Sequence, residues 1–134
     1  MDERLLRAKR ENALAAVEAF SRFLYATGDA VYGKAFDEVA AALARGDDTA
    51  AIDRDALNRM GGMGSLGDRG WDTPDEERRF RFLSGCSHDA VANIRLYRDY
   101  AIDRPLVDIS DGAFETYLAT PSKPAARRPW WKFW

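Results

Sequence analysis

Apolar residues recur along the first half of the chain at helical spacing. Between Asp2 and Thr27, Leu6, Ala13, Ala16, Val17, Phe20, Phe23 and Leu24 stand mostly three, four or seven positions apart with charged residues between them, which predicts a long amphipathic helix. Thr27-Gly28-Asp29 ends that helix and starts another, because Gly accepts the left-handed position after a helix and Asp can accept hydrogen bonds from the free N–H groups of the next. The second stripe, Tyr32, Phe36, Val39, Ala40 and Leu43, predicts a helix to about Arg45, with Gly46 behind its end. Asp47-Asp48-Thr49 caps a shorter third helix, whose expected apolar face is Ile52, Ala56, Leu57 and Met60. Turns this short make consecutive helices antiparallel neighbours.

Periodicity stops in the run Gly61 to Trp71, where five of eleven residues are Gly. It resumes at Thr73-Pro74-Asp75-Glu76, an N-cap residue, a proline at the first helical position and a Glu at the third, which together form a capping box. Phe80 and Leu83 carry the face to Ser84-Gly85, and Val91, Ile94, Tyr97 and Ala101 form a stripe that ends before Arg104-Pro105. Two helices or one kinked helix satisfy this pattern equally. Leu106-Val107-Asp108-Ile109 is apolar and β-branched but brief, and Phe114, Tyr117 and Leu118 suit the inner side of a last helical turn, so residues 104–119 receive no single assignment. The expected fold is all-α: about five helices in a small bundle over residues 1–119, with the glycine-rich loop in the middle and an extended tail, residues 120–134.

Composition supports helices and bounds the function. Alanine contributes 22 of 134 residues, while Leu, Ile, Val and Phe together contribute 27, so the core is thin and rich in a strong helix former. Residues 1–115 hold 16 basic and 22 acidic side chains, a net of −6, whereas residues 116–134 hold four basic and none acidic. An acidic body argues against a nucleic-acid partner. The lack of an apolar run of membrane-spanning length, and of a signal-peptide core after Met1-Asp2-Glu3-Arg4, gives a cytoplasmic expectation. The lone Cys86 cannot form an intrachain disulfide, and the lone His88 cannot supply a typical zinc ligand set.

Gly62-Met63-Gly64-Ser65-Leu66-Gly67 satisfies the G-x-G-x-x-G spacing of dinucleotide sites, but the helical segment Ala56 to Met60 stands where such a site needs a strand. Two other readings fit the loop. As an anion nest, its bare N–H groups would be flanked by Arg59 and Arg69, with Gly61, Gly62, Gly64, Ser65 and Asp68 shaping the turn. As a structural element, its glycines would make tight turns while Met63 and Leu66 plug the core and Ser65 or Asp68 bonds local backbone; this reading is preferred. The run Gly61-Gly62-Met63-Gly64-Ser65-Leu66-Gly67-Asp68 resembles a family of small uncharacterised bacterial domains that share Gly-Gly-Met-Gly-Ser-x-Asn-Asp between helices, over about residues 20–103, with Asn93 and Leu96 echoing an Asn and a Leu of a later helix. Gly67 stands where that family has Asn. The resemblance implies a mostly helical bacterial domain with the loop as a shared structural element, and no activity.

Other clusters have simpler readings. Cys86-Ser87-His88-Asp89 places a thiol, an imidazole and a carboxylate together, but neighbours in sequence point apart, and the better expectation is Ser87 or Asp89 as a helix cap with His88 solvated. Asp47-Asp48 and Asp108-Ser110-Asp111 lack the spacing of a calcium loop and read as caps, and Asp75, Glu76 and Glu77 sit in a first helical turn where the helix dipole favours negative charge. No catalytic, cofactor-binding or metal-binding residue is assigned.

The tail is the least ordinary segment. Pro121, Pro124 and Pro129 make a stiff linker, followed by Trp130, Trp131, Lys132, Phe133 and Trp134 beside Arg127 and Arg128. Such an apolar, basic terminus calls for a cover: its own domain, a protein partner, or an anionic membrane surface, in which case the protein would be peripheral to the inner membrane. The expected function is a non-enzymatic protein-binding module of immunity or accessory type. The alternatives are an anion- or phosphate-ligand domain built on the glycine loop, and a peripheral membrane protein held by the tail.

Overall fold

The computed structural model describes residues 1–60 and 71–120. It is an all-α small bundle of five helices: α1 (Glu3–Ala26), α2 (Ala30–Ala44), α3 (Asp48–Arg59), α4 (Pro74–Tyr100) and α5 (Asp111–Ala119). The starts of α2, α3 and α4 carry the caps their sequence predicts, and Asp2 caps α1 as well. The Asp2 carboxylate accepts from Arg4 N–H, Asp29 from Tyr32 N–H, Asp47 from Ala50 N–H, and the Thr73 hydroxyl from Glu76 N–H. Gly28 and Gly46, at φ +87° and +77°, make the left-handed turns that reverse the chain after α1 and α2.

The first four helices run up, down, up and down, with α1 packed on α2 and α4, and α3 packed on α2 and α4. The core is the expected stripe of α1, with Val17, Phe20 and Leu24 fully buried, against Phe36 and Val39 of α2 and Val91 and Ile94 of α4. Phe20 meets Phe36 edge-on at 4.8 Å between ring centroids, and a chain of rings continues from Phe20 through Phe80 to Trp71 and Phe23. Polar groups line one seam as well: the Asp37 carboxylate accepts from the Ser21 and Tyr25 hydroxyls, which raises the Tyr25 pKa, and the Tyr25 ring lies against Gly33 with no room for a Cβ.

Two expectations change, and two readings left open are decided. α4 is one continuous helix through Ser84-Gly85, because Gly lowers helix stability without ending a helix whose both sides are packed. Ser87 and Asp89 therefore lie within it and cap nothing. The expected face of α3 holds only at Ile52, which packs partly buried against the core: Leu57 and Met60 point to solvent, Ala56 is exposed, and the buried residues are Asp48, Ala51 and Asp55. Beyond Tyr100 the unassigned stretch resolves into an extended strap, Ile102 to Ile109, and then α5, capped by the Ser110 hydroxyl accepting from Ala113 N–H. The strap turns back along α4 at Ala101, the one positive-φ residue other than Gly among the described residues, at φ +54°.

Two glycine-to-alanine substitutions should act with opposite sign. Gly85 lies mid-helix with open space at its missing Cβ, so Gly85→Ala should raise the unfolding free energy by about 0.5–1 kcal/mol. Gly46 has the same open space but a left-handed backbone, so Gly46→Ala should lower it by about 1 kcal/mol, both read from urea unfolding.

Candidate functional site

α3 is short and carries few large apolar side chains, yet it closes the bundle between α2 and α4. It does so with charge. Asp48, Asp55 and Arg59 stand seven and four residues apart, on one helical face, and all three turn inward. At the lower end, the Asp48 carboxylate, with its side chain 1% exposed, accepts two hydrogen bonds from the Arg10 guanidinium of α1, both 2.7 Å, and a third from Arg98 of α4 at 3.2 Å. This fork is the strong geometry for an arginine and a carboxylate, and it raises the Arg10 pKa.

At the upper end, Asp55 receives Arg59 Nε at 3.0 Å on one oxygen and faces His88 Nδ1 at 3.1 Å on the other. The Arg59 guanidinium then donates to the Ser84 hydroxyl at 2.7 Å and the Ser87 hydroxyl at 3.2 Å, so one side chain ties α3 to α4. Its flat face lies over Phe36 and Phe20, 5.1 and 5.7 Å from the ring centroids. Asn58 adds a link to α2 through the Ala35 carbonyl at 3.2 Å.

Serine, histidine and aspartate thus meet on the α3–α4 seam, in the pattern Ser84, Ser87, His88 and Asp55. The hydrogen bonds define their roles: both hydroxyls accept from Arg59, and the half-exposed imidazole is oriented by Asp55. Cys86 lies elsewhere on α4, beneath the strap, with its sulfur 3.9 Å from the Asp108 carbonyl oxygen. Helical geometry separates it from His88, as adjacency in sequence suggested. Burial, aided by the charges of Asp89 and Asp108, pushes the Cys86 thiol up to about 11.

Of the residues singled out for the glycine loop, Arg59 is the one within the described set. Its guanidinium is held inward by Asp55, Ser84 and Ser87 rather than presented to a ligand. Gly61, Gly62, Met63, Gly64, Ser65, Asp68 and Arg69 lie outside the described residues, as do Arg127, Arg128, Trp130, Trp131, Lys132, Phe133 and Trp134. The ends of the loop are visible: Arg59 precedes it on the Phe20–Phe36 pair, and Trp71 follows it, its ring tilted against Phe80 at 4.5 Å between centroids. Capping was rightly expected of Asp47, while Asp108 accepts from Ser110 N–H, which lowers its pKa. Asp48, Asp55, Arg10 and Arg98 were not anticipated, although the seven-and-four spacing of acid, acid and base on α3 was the available signal.

The raised Cys86 pKa has a direct consequence. The folded state holds the thiol protonated, so this group contributes stability below pH 9.0, its ordinary value, and loses it as pH rises through about 11. At pH 8 the thiolate fraction should be about 100-fold lower than in the unfolded chain, and iodoacetamide should alkylate native Cys86 about 100-fold more slowly than the urea-unfolded protein. No family model, curated protein or solved structure matches this chain.

Proposed function

We propose that this protein is a non-enzymatic bacterial binding module, of immunity or accessory type, that recognises a partner protein in the cytoplasm. The observation that carries this reading is at one pole of the bundle. Val31 at the start of α2 and Leu57 and Met60 at the end of α3 are 79, 66 and 64% exposed, and Tyr25 at the end of α1 is half exposed. Antiparallel packing brings these helix ends to the same side, where large apolar side chains gain nothing from the core and mark a contact surface. Asp48, Asp55 and Arg59 of α3 point the other way, into internal ion pairs.

The acidic body, net −6 over residues 1–115, suits a partner whose surface is apolar and ringed by basic groups. The tail residues Trp130, Trp131, Phe133 and Trp134 would add a second contact, or an anionic membrane contact through Arg127, Arg128 and Lys132. An anion site on the glycine loop ranks lower because Arg59, one of its two expected arginines, is already paired with Asp55. The bacterial origin follows only from the resemblance at Gly61 to Asp68.

Leu57→Glu with Met60→Glu should leave the melting temperature within about 2 °C, since both side chains are exposed, while lowering retention of the partner from native lysate by at least about tenfold. Quantitative affinity capture with the parent chain, this variant and a chain ending at Thr120 reads the result. Equal capture by all three overturns the proposal.

A further inference from the structure

The strap Ile102 to Ile109 lies in the groove between α1 and α4, and the groove holds it mainly by its backbone. The Asn12 side chain of α1 makes two bonds to Val107, donating to its carbonyl at 2.8 Å and accepting from its N–H at 2.9 Å, as a neighbouring β-strand would. Asn93 of α4 donates to the Pro105 carbonyl at 3.1 Å, and Lys9 of α1 donates to the Arg104 carbonyl while pairing with Asp103. Val107 and Ile109, two apart on an extended chain, pack against the core between these bonds. Asn12 and Asn93 are side-chain amides that satisfy backbone groups, and Lys9 is buried at 2% exposure, so the groove is built for an extended segment.

The connection that feeds the strap into its own groove is strained. Ala101 is left-handed at φ +54°, a conformation that disfavours any residue with a Cβ. Pro105 keeps the preceding residue out of helical geometry, so the strap stays extended whichever way Ala101 points. The segment beyond it is lightly attached: α5 has no buried residue and rests on α4 through Phe114 against Phe82 and Arg79 against Asp111.

We propose that two copies of this chain exchange straps: Ala101 opens, and Ile102 to Ala119 of each copy enters the α1–α4 groove of the other. Every bond to Lys9, Asn12 and Asn93 forms again across the dimer, and only the hinge changes. With Asp103 paired to Lys9 of the other copy, Ala101 and Ile102 alone bridge the two molecules, roughly 7 Å of extended chain, so the exchange brings the C-terminal ends of the two α4 helices close together. Two left-handed alanines are relieved, against the entropy of association, so the dimer is a minor, concentration-dependent species. The occupant is a second copy because the groove already fits this strap residue by residue.

The test is sedimentation of the full chain from about 10 μM to 1 mM, with native mass spectrometry of mixed isotopically labelled and unlabelled protein. Ala101→Gly, which adopts the left-handed turn freely, should weaken dimerisation about fivefold per hinge, or about 25-fold for two; Ala101→Val should strengthen it. Asn12→Ala removes the same bonds from the closed and exchanged forms, so it should leave the monomer–dimer equilibrium within about threefold of the parent and accelerate the appearance of mixed dimers. Circular dichroism confirms that each variant is folded. A monomer at every concentration, or a dimer whose affinity ignores both Ala101 variants, overturns the exchange.

Discussion

The pair of buried Asp55 and largely covered Arg59 is the constraint on which α3, and with it the closure of the bundle, depends. A twelve-residue helix with Ala51 as its one buried apolar residue cannot hold its place by burial alone. Taking charges out of water costs several kcal/mol per ion unless geometry and further hydrogen bonds offset the loss. Here they do: Asp55 uses both oxygens, Arg59 uses both ends of its fork and its flat face, and no described buried side-chain polar atom lacks a partner. Asp48 repeats the arrangement about two turns lower on the helix axis, with two arginines from two different helices.

This arrangement explains why the molecule has two poles of different character. Where α3 begins, its carboxylate is sheathed by Arg10 and Arg98, and the strap runs close by over Lys9. Where α3 ends, the same inward turn of Asp55 and Arg59 forces Leu57 outward, since it stands two positions from each and leaves the helix on the far side, and Met60, the extended C-cap, is exposed beyond the helix end. The exposed apolar pole is thus the geometric complement of the ionic seam. The glycine run begins directly after it, between an anchored arginine and an anchored tryptophan.

Helix ends were legible because capping is local: Asp29, Asp47 and Thr73 show their roles from their own neighbours in the chain. So were the inner faces of α1 and α2, whose stripes are long enough to fix a direction. α3 was not legible in the same way, because its apolar and its inward residues differ, and only Arg10, Arg98 and His88, up to 50 positions away, make an acidic face favourable inside. The choice between one helix and two at Ser84-Gly85, which the pattern left open, is made by tertiary contacts: packing of Phe82, Leu83 and Cys86 on one side and Ser87 on Arg59 holds the helix through a glycine. The strap defeated periodicity altogether, since the groove holds its backbone and leaves most of its side chains exposed.

A double-mutant cycle on Asp55→Asn and Arg59→Met, read as urea unfolding free energies, tests the central claim most directly. If the ionic seam holds α3 in place, the coupling between the two side chains is at least about 2 kcal/mol, and amide exchange in each single variant accelerates first in α3. A coupling below about 0.5 kcal/mol, with α3 exchanging no faster than α1, would contradict it.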